Sequence, residues 1–118
     1  MDLPKLKDAH SSESLGDMAR NTQDASAFLK ALAHESRLLI LCLLSEGEKS
    51  VGDLEVLLGK RQSTVSQQLA RLRLDGLVES RRDGKSIYYR LASDDVRSIL
   101  QAVHAVFCRE PGRRAKKL

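Results

Sequence analysis

A chain of 118 residues with four aromatics, Phe28, Tyr88, Tyr89 and Phe107, suits one domain with a modest core, and it is too poor in rings for the stacked-base platforms of single-strand RNA binders. Its longest apolar run, residues 38–44, is far short of the ~20 residues that span a bilayer, and no signal-peptide pattern opens it, so a soluble cytoplasmic protein with no membrane partner is expected. The net charge of +4 hides a change of sign: residues 1–59 carry six Lys/Arg against ten Asp/Glu, residues 60–90 eight against three, residues 91–108 one against two, and residues 109–118 five against one.

Residues 1–14 are polar and aperiodic and are expected to form a flexible arm. A helical stripe with Met18, Phe28 and Leu29 then runs over residues 15–32. A second, far more apolar helix ends near Ser45 and should be buried. Residues 46–49 break the pattern. Ser50-Val51-Gly52-Asp53 reads as a capping sequence for a third helix that turns Val51, Leu54 and Leu58 inward and ends at Gly59. The next helix puts Val65, Leu69 and Leu72 on one face, with Thr64 and Gln67 at capping-box spacing and Gly76 as its stop.

Residues 77–82 and 85–91 are β-rich runs around Asp83-Gly84, a strong hairpin signal. Ser93 can cap a last helix whose Asp94 and Asp95 suit its positive end. Its apolar stripe is Val96, Ile99, Leu100, Val103 and Phe107, Pro111-Gly112 should stop it, and residues 109–118 form a basic tail. The order of four helices, a hairpin and a helix predicts a mostly α fold with a β-hairpin wing, a winged helix-turn-helix over residues 15–108. No repeat and no second domain is evident.

The fourth helix and the hairpin lie within the basic stretch, so together they form an electrostatic footprint for duplex DNA. Ser63, Thr64, Ser66, Gln67, Gln68 and Arg71 are the candidates on the helix. Ser66, Gln67 and Gln68 are expected near base edges, while Arg71 joins Arg81, Arg82 and Lys85 of the hairpin on phosphate. Affinity should then depend on salt. No Cys-x-x-Cys pair is present, which argues against a thiol oxidoreductase; neither an enzyme nor a cofactor is expected.

The segment Ala31-Leu32-Ala33-His34-Glu35-Ser36-Arg37-Leu38, the helix Ser63-x-Val65-Ser66-x-x-Leu69-x-x-Leu72 and the Asp83-Gly84 wing resemble the ArsR/SmtB family of bacterial repressors. The family usually has Pro where Glu35 stands and commonly His where Gln68 stands. The resemblance implies a winged-helix homodimer, its first and last helices forming much of the interface, that an inducer or metal releases from an inverted-repeat operator. The family's arsenic-type site needs closely spaced cysteines at the start of the third helix, where Ser50-Val51-Gly52-Asp53-Leu54 has none. Its zinc-type site needs an Asp-x-His pair and a His-x-x-His or His-x-x-Glu pair on the last helix. Asp95-Val96-Arg97 and His104-Ala105-Val106-Phe107 each lack one member, so no metal is expected.

Two cysteines remain, Cys42 in the second helix and Cys108 at the end of the last, with 65 residues between them. By residue type alone both read as small hydrophobes. One Cys on each of these helices is similar to the BigR/SqrR/HlyU group, whose dithiol senses persulfides and related reactive sulfur. That likeness implies a repressor that Cys42 and Cys108 switch off when bridged. The alternative is a repressor of the same fold that answers to peroxide, metal or another ligand, with structural cysteines.

Overall fold

The computed structural model describes residues 14–107. The expected basic tail, Pro111-Gly112, Cys108 and all of the expected arm but Ser14 lie outside the described residues. In chain order the elements are α1 (Leu15–Leu32), α2 (Glu35–Leu44), β1 (Lys49–Ser50), α3 (Val51–Leu58), α4 (Gln62–Leu74), β2 (Val78–Asp83), β3 (Ser86–Leu91) and α5 (Asp94–Phe107). This is the expected winged helix-turn-helix, with a third strand added. Residues 46–49 are not wholly a break, because Lys49 pairs with Tyr89 and Ser50 with Tyr88, giving an antiparallel sheet of order β1-β3-β2.

Local chemistry sets the element ends. Ser50 and Asp53 form the expected capping box, the Ser50 side chain accepting from the Asp53 N–H at 3.0 Å and the Asp53 carboxylate from the Ser50 N–H at 3.2 Å. At the end of α4 the Gly76 N–H donates to the Arg73 carbonyl at 3.0 Å and the Leu77 N–H to the Leu72 carbonyl at 2.9 Å. That wrap requires a left-handed residue, and Gly76 supplies it at φ +78°. Glu35 occupies the first turn of α2. Pro is favoured at a helix's first position because its missing N–H is not needed there, and a carboxylate suits the same positive end, so Glu in place of Pro keeps the start.

Two boundaries differ from expectation. Helix α4 begins at Gln62 with Arg61 as its cap residue and no side-chain cap, so Thr64 and Gln67 lie inside the helix; the spacing fits a capping box, but the backbone is already helical two residues earlier. In the hairpin Asp83 pairs with Ser86, which makes Gly84 and Lys85 the turn, one place later than the Asp83-Gly84 pair. Gly84 at φ +65° takes the first central position of a two-residue turn, where the strand twist demands positive φ.

One apolar cluster joins the elements. It contains Ala31 and Leu32 of α1, Ile40, Leu41 and Leu44 of α2, Leu54 of α3, Val65, Leu69 and Leu72 of α4, Leu77 with Val78 and Leu91 at the wing base, and Val96 and Leu100 of α5. Among the described residues no polar or charged side chain is buried. Helix α2 is buried on one side only, since Leu39 stays half exposed. Helix α1 is anchored at its last turn, where the Arg37 side chain donates to the Ala31 carbonyl at 3.1 Å. The rest of α1 leaves Leu15 and Leu29 in solvent, and α5 does the same with Val106 and Phe107. No helix among the described residues is long and apolar enough to cross a membrane.

Candidate nucleic-acid interface

Helix α4 is amphipathic in the way the sequence predicts. With Val65, Leu69 and Leu72 buried, Ser63, Thr64, Ser66, Gln67 and Arg71 are all exposed. Gln68 is half buried in an apolar hollow with Ser36, Leu39, Ile40 and Leu58, at the flank of the helix rather than on its outer face. On the other flank Gln62 and Ser66 line a cleft with Lys85, Ser86, Ile87 and Tyr89 of the wing, with the cap residue Ser50, and with Val51, Gly52 and Glu55 of α3. The start of α4 and the wing thus share one concave surface. The sequence motif begins at Ser63 and so leaves out Gln62, the first residue of α4. Lys60 and Arg61 are exposed in the turn before α4, and two adjacent cations just ahead of a helix are a readable signal.

Strand register divides the wing's cations. Arg82 is opposite Ile87 and Arg81 opposite Tyr88, and successive side chains of a strand point to opposite faces. Arg82 therefore shares a face with Val78, Ile87, Tyr89 and Leu91, the face that continues into the core and the cleft. Arg81 is on the outer face. There its guanidinium makes a two-pronged bond to Glu48, Nε to Oε2 at 2.8 Å and Nη2 to Oε1 at 2.7 Å. It lies 4.6 Å from the centroid of the Tyr88 ring and 3.9 Å from Asp83. Arg71 is paired with Asp75 at 3.2 Å, and Arg90 with Glu79 at 3.0 Å. Among the described residues Arg82 and Lys85 have no ion-pair partner.

The Glu48 carboxyl is held below the usual carboxylate range, chiefly by the hydrogen bond from Arg81; partial desolvation pulls the other way, and the charges of Arg81 and Arg90 add to the lowering. A carboxyl lowered by folding contributes its interaction above its ordinary value and loses it as pH falls through the lowered one. The Tyr88 ring resonances should therefore stay constant from neutral pH down to the ordinary glutamate range and move only below it. An inflection at or above the ordinary glutamate value would contradict the pairing.

Cys42 is half buried on α2, packed against the core. Its carbonyl accepts from the Ser45 hydroxyl at 2.6 Å, and the Ser45 carbonyl accepts from Arg97 of α5 at 2.6 Å. The end of α2 and the start of α5 are thus tied together beside this thiol. Cys108 lies outside the described residues, directly after the last residue of α5.

Comparison with known proteins agrees with this geometry. Residues 34–80 match the profile described as "Bacterial regulatory protein, arsR family". The biofilm growth-associated repressor of Agrobacterium fabrum is 46% identical over 91 residues, 77% of this chain and 78% of that one. The transcriptional activator HlyU of Vibrio cholerae is 42% identical over 90% of this chain and 96% of its own. The structure of reduced HlyU superposes with a TM-score of 0.77, covering 80% of this chain and all of that one. The homodimeric winged helix-turn-helix DNA-binding domain Mb0332 of Mycobacterium bovis has a TM-score of 0.70 at 36% identity, covering 80% and 88% of the two chains. This protein is a member of the arsR family, a bacterial transcription regulator built on the winged helix-turn-helix.

Proposed function

We propose that the protein is a dithiol redox-responsive repressor, a homodimer that binds inverted-repeat operator DNA when reduced and leaves it when reactive sulfur bridges Cys42 and Cys108. The observation that carries this reading is the position of Cys42. It sits on the helix whose end Arg97 of α5 holds, and Cys108 follows α5 in sequence. A covalent link there would act on the contact between α2, which supports the reading helix, and α5, whose apolar outer face is unpaired in one copy. The identity to a repressor and to a protein solved in a reduced form supports it further. So do the solvent-facing Leu15, Leu29, Val106 and Phe107, which a second copy would cover, and the similarity to a homodimeric domain.

The bridge needs an oxidant, and a polysulfide of the hydrogen disulfide class suffices. One thiolate attacks it, becoming a persulfide as hydrosulfide leaves. The second thiolate attacks the protein-bound sulfur of that persulfide and expels another hydrosulfide. Two thiols are oxidised to a disulfide, and the sulfane pair is reduced to two sulfides. A plain disulfide requires Cα atoms roughly 4.4 to 6.8 Å apart, and extra sulfur atoms would span a wider gap. The test is a DNA-binding titration of reduced and polysulfide-treated protein beside Cys42→Ser and Cys108→Ser. Both single variants should bind DNA in either condition; a wild-type response in either one defeats the two-thiol reading.

In the same reading two copies of α4 enter successive major grooves about one helical turn apart, with the wings on flanking backbone. Ser63, Thr64, Ser66 and Gln67 are the groups nearest the bases, with Gln68, half buried at the helix flank, farther from them. Arg82 and Lys85, unpaired and on the cleft face, bind phosphate, and Arg71 joins them when its exposed pair with Asp75 opens. Arg82→Ala should weaken binding to all sequences alike and lower the salt slope of log K by about one. Weakening confined to one operator base pair would contradict a phosphate role.

A further inference from the structure

Arg81 was expected on DNA, yet it is turned from the cleft and engaged by Glu48. The two residues are 33 positions apart in sequence, so the bond is a tertiary one. Its place in the sheet matters. Strand β1 pairs only with Tyr88 and Tyr89 of β3, so residues 82–87 project beyond the three-stranded part as a bare two-stranded ribbon. Arg81 is on β2, across β3 from β1, and its guanidinium passes over the Tyr88 ring to reach Glu48, which precedes β1 by one residue. The bond thus closes over the sheet where the ribbon leaves it. Glu48 is also two residues ahead of Ser50, the cap of α3.

We propose that Glu48 and Arg81 form a positioning clasp, which fixes the wing to the first helix of the helix-turn-helix so that Arg82 and Lys85 meet the DNA backbone, while Arg81 itself does not. The inference rests on the assignment of Arg82 to phosphate and is independent of the signal that releases the protein. Two-pronged arginine–carboxylate bonds restrict direction as well as distance, and a two-stranded ribbon is marginal by itself. Without the clasp the tip samples more orientations, and its cations spend less time on phosphate.

The clasp and a direct contact predict opposite signs for one substitution. Removing a negative charge near DNA strengthens binding on electrostatic grounds, and Glu48→Gln would also release Arg81. If Arg81 is a phosphate ligand, Glu48→Gln tightens binding. If the pair positions the wing, Glu48→Gln weakens it, by about three- to fivefold given the modest strength of exposed pairs. The probe is a random-sequence duplex at low salt, bound by the full chain with its cysteines reduced. Arg81→Gln should weaken binding to a similar extent, the double variant should be no worse than either single one, and the exchange Glu48→Arg with Arg81→Glu should restore most of the loss. Amide exchange over residues 82–87 should quicken in Glu48→Gln. Both side chains are at the surface, so unfolding midpoints serve as a control that the fold is kept.

Tighter or unchanged binding by Glu48→Gln overturns the clasp. Arg82→Ala, measured alongside, tells the two readings apart. If it weakens binding and Glu48→Gln does not, the phosphate assignment stands and the clasp falls. If Arg82→Ala has no effect, the assignment of Arg82 to phosphate falls, and the clasp that rests on it is overturned with it.

Discussion

Leu69→Ala is expected to cost about 2–5 kcal/mol of folding stability, the range for removing a fully buried leucine from a packed core. Leu69 has no exposed surface and sits midway along α4, between Val65 and Leu72. The cavity would open directly beneath the face that carries Ser66 and Gln67. With domain stabilities of about 5–15 kcal/mol, the loss is a large fraction of the whole. Urea unfolding at one fixed protein concentration measures it, since assembly would otherwise shift the midpoint by mass action. DNA affinity should fall as well, because a helix that rocks on its core presents its outer groups at varying angles. A cost under 1 kcal/mol would mean that α4 is not seated as described.

Bridging Cys42 to Cys108 should lower operator affinity by about 5- to 150-fold, the span of a coupling free energy of roughly 1–3 kcal/mol. Linkage makes the effect reciprocal. Operator DNA must favour the dithiol over the bridged form by the same factor, so a polysulfide titration repeated with saturating operator should need correspondingly more oxidant. A titration that DNA leaves unchanged would show that the bridge, if it forms, is not coupled to binding. This measurement does not depend on which genes the protein controls.

Local signals in the sequence placed most of the fold. The Ser50 and Asp53 capping box, the glycine stop at Gly76, the β-rich runs around Gly84 and the spacing of Val65, Leu69 and Leu72 each depend on neighbours within a few residues. What escaped depends on distant partners. Strand β1 is two residues long and exists only because β3 lies beside it, so no periodicity could announce it. The hairpin register slipped by one place because Asp-Gly is the commoner turn pair, whereas here Asp83 pairs with Ser86 and remains in the strand. That slip hid the division of the wing's cations, since adjacent arginines look equivalent until the register assigns each to a face. Gln68 is a subtler case. It is outside the buried stripe on a helical wheel, yet α2 and α3 rise beside it and half enclose it.

Between α4 and β2 only Asp75, Gly76 and Leu77 intervene, and they are held by the bonds to Arg73 and Leu72 and by the Ala92 N–H donating to the Leu77 carbonyl at 3.0 Å. So short and bonded a junction leaves no slack. If Ser66 and Gln67 meet the bases and Arg82 and Lys85 the phosphates, as proposed, point changes at Ser66 or Gln67 would drift toward new preferred base pairs without disturbing the wing, whereas one residue inserted at 75–77 would put helix and ribbon out of phase along the duplex. On that assignment, descendants of this chain would acquire new target sites by substitution rather than by changing length.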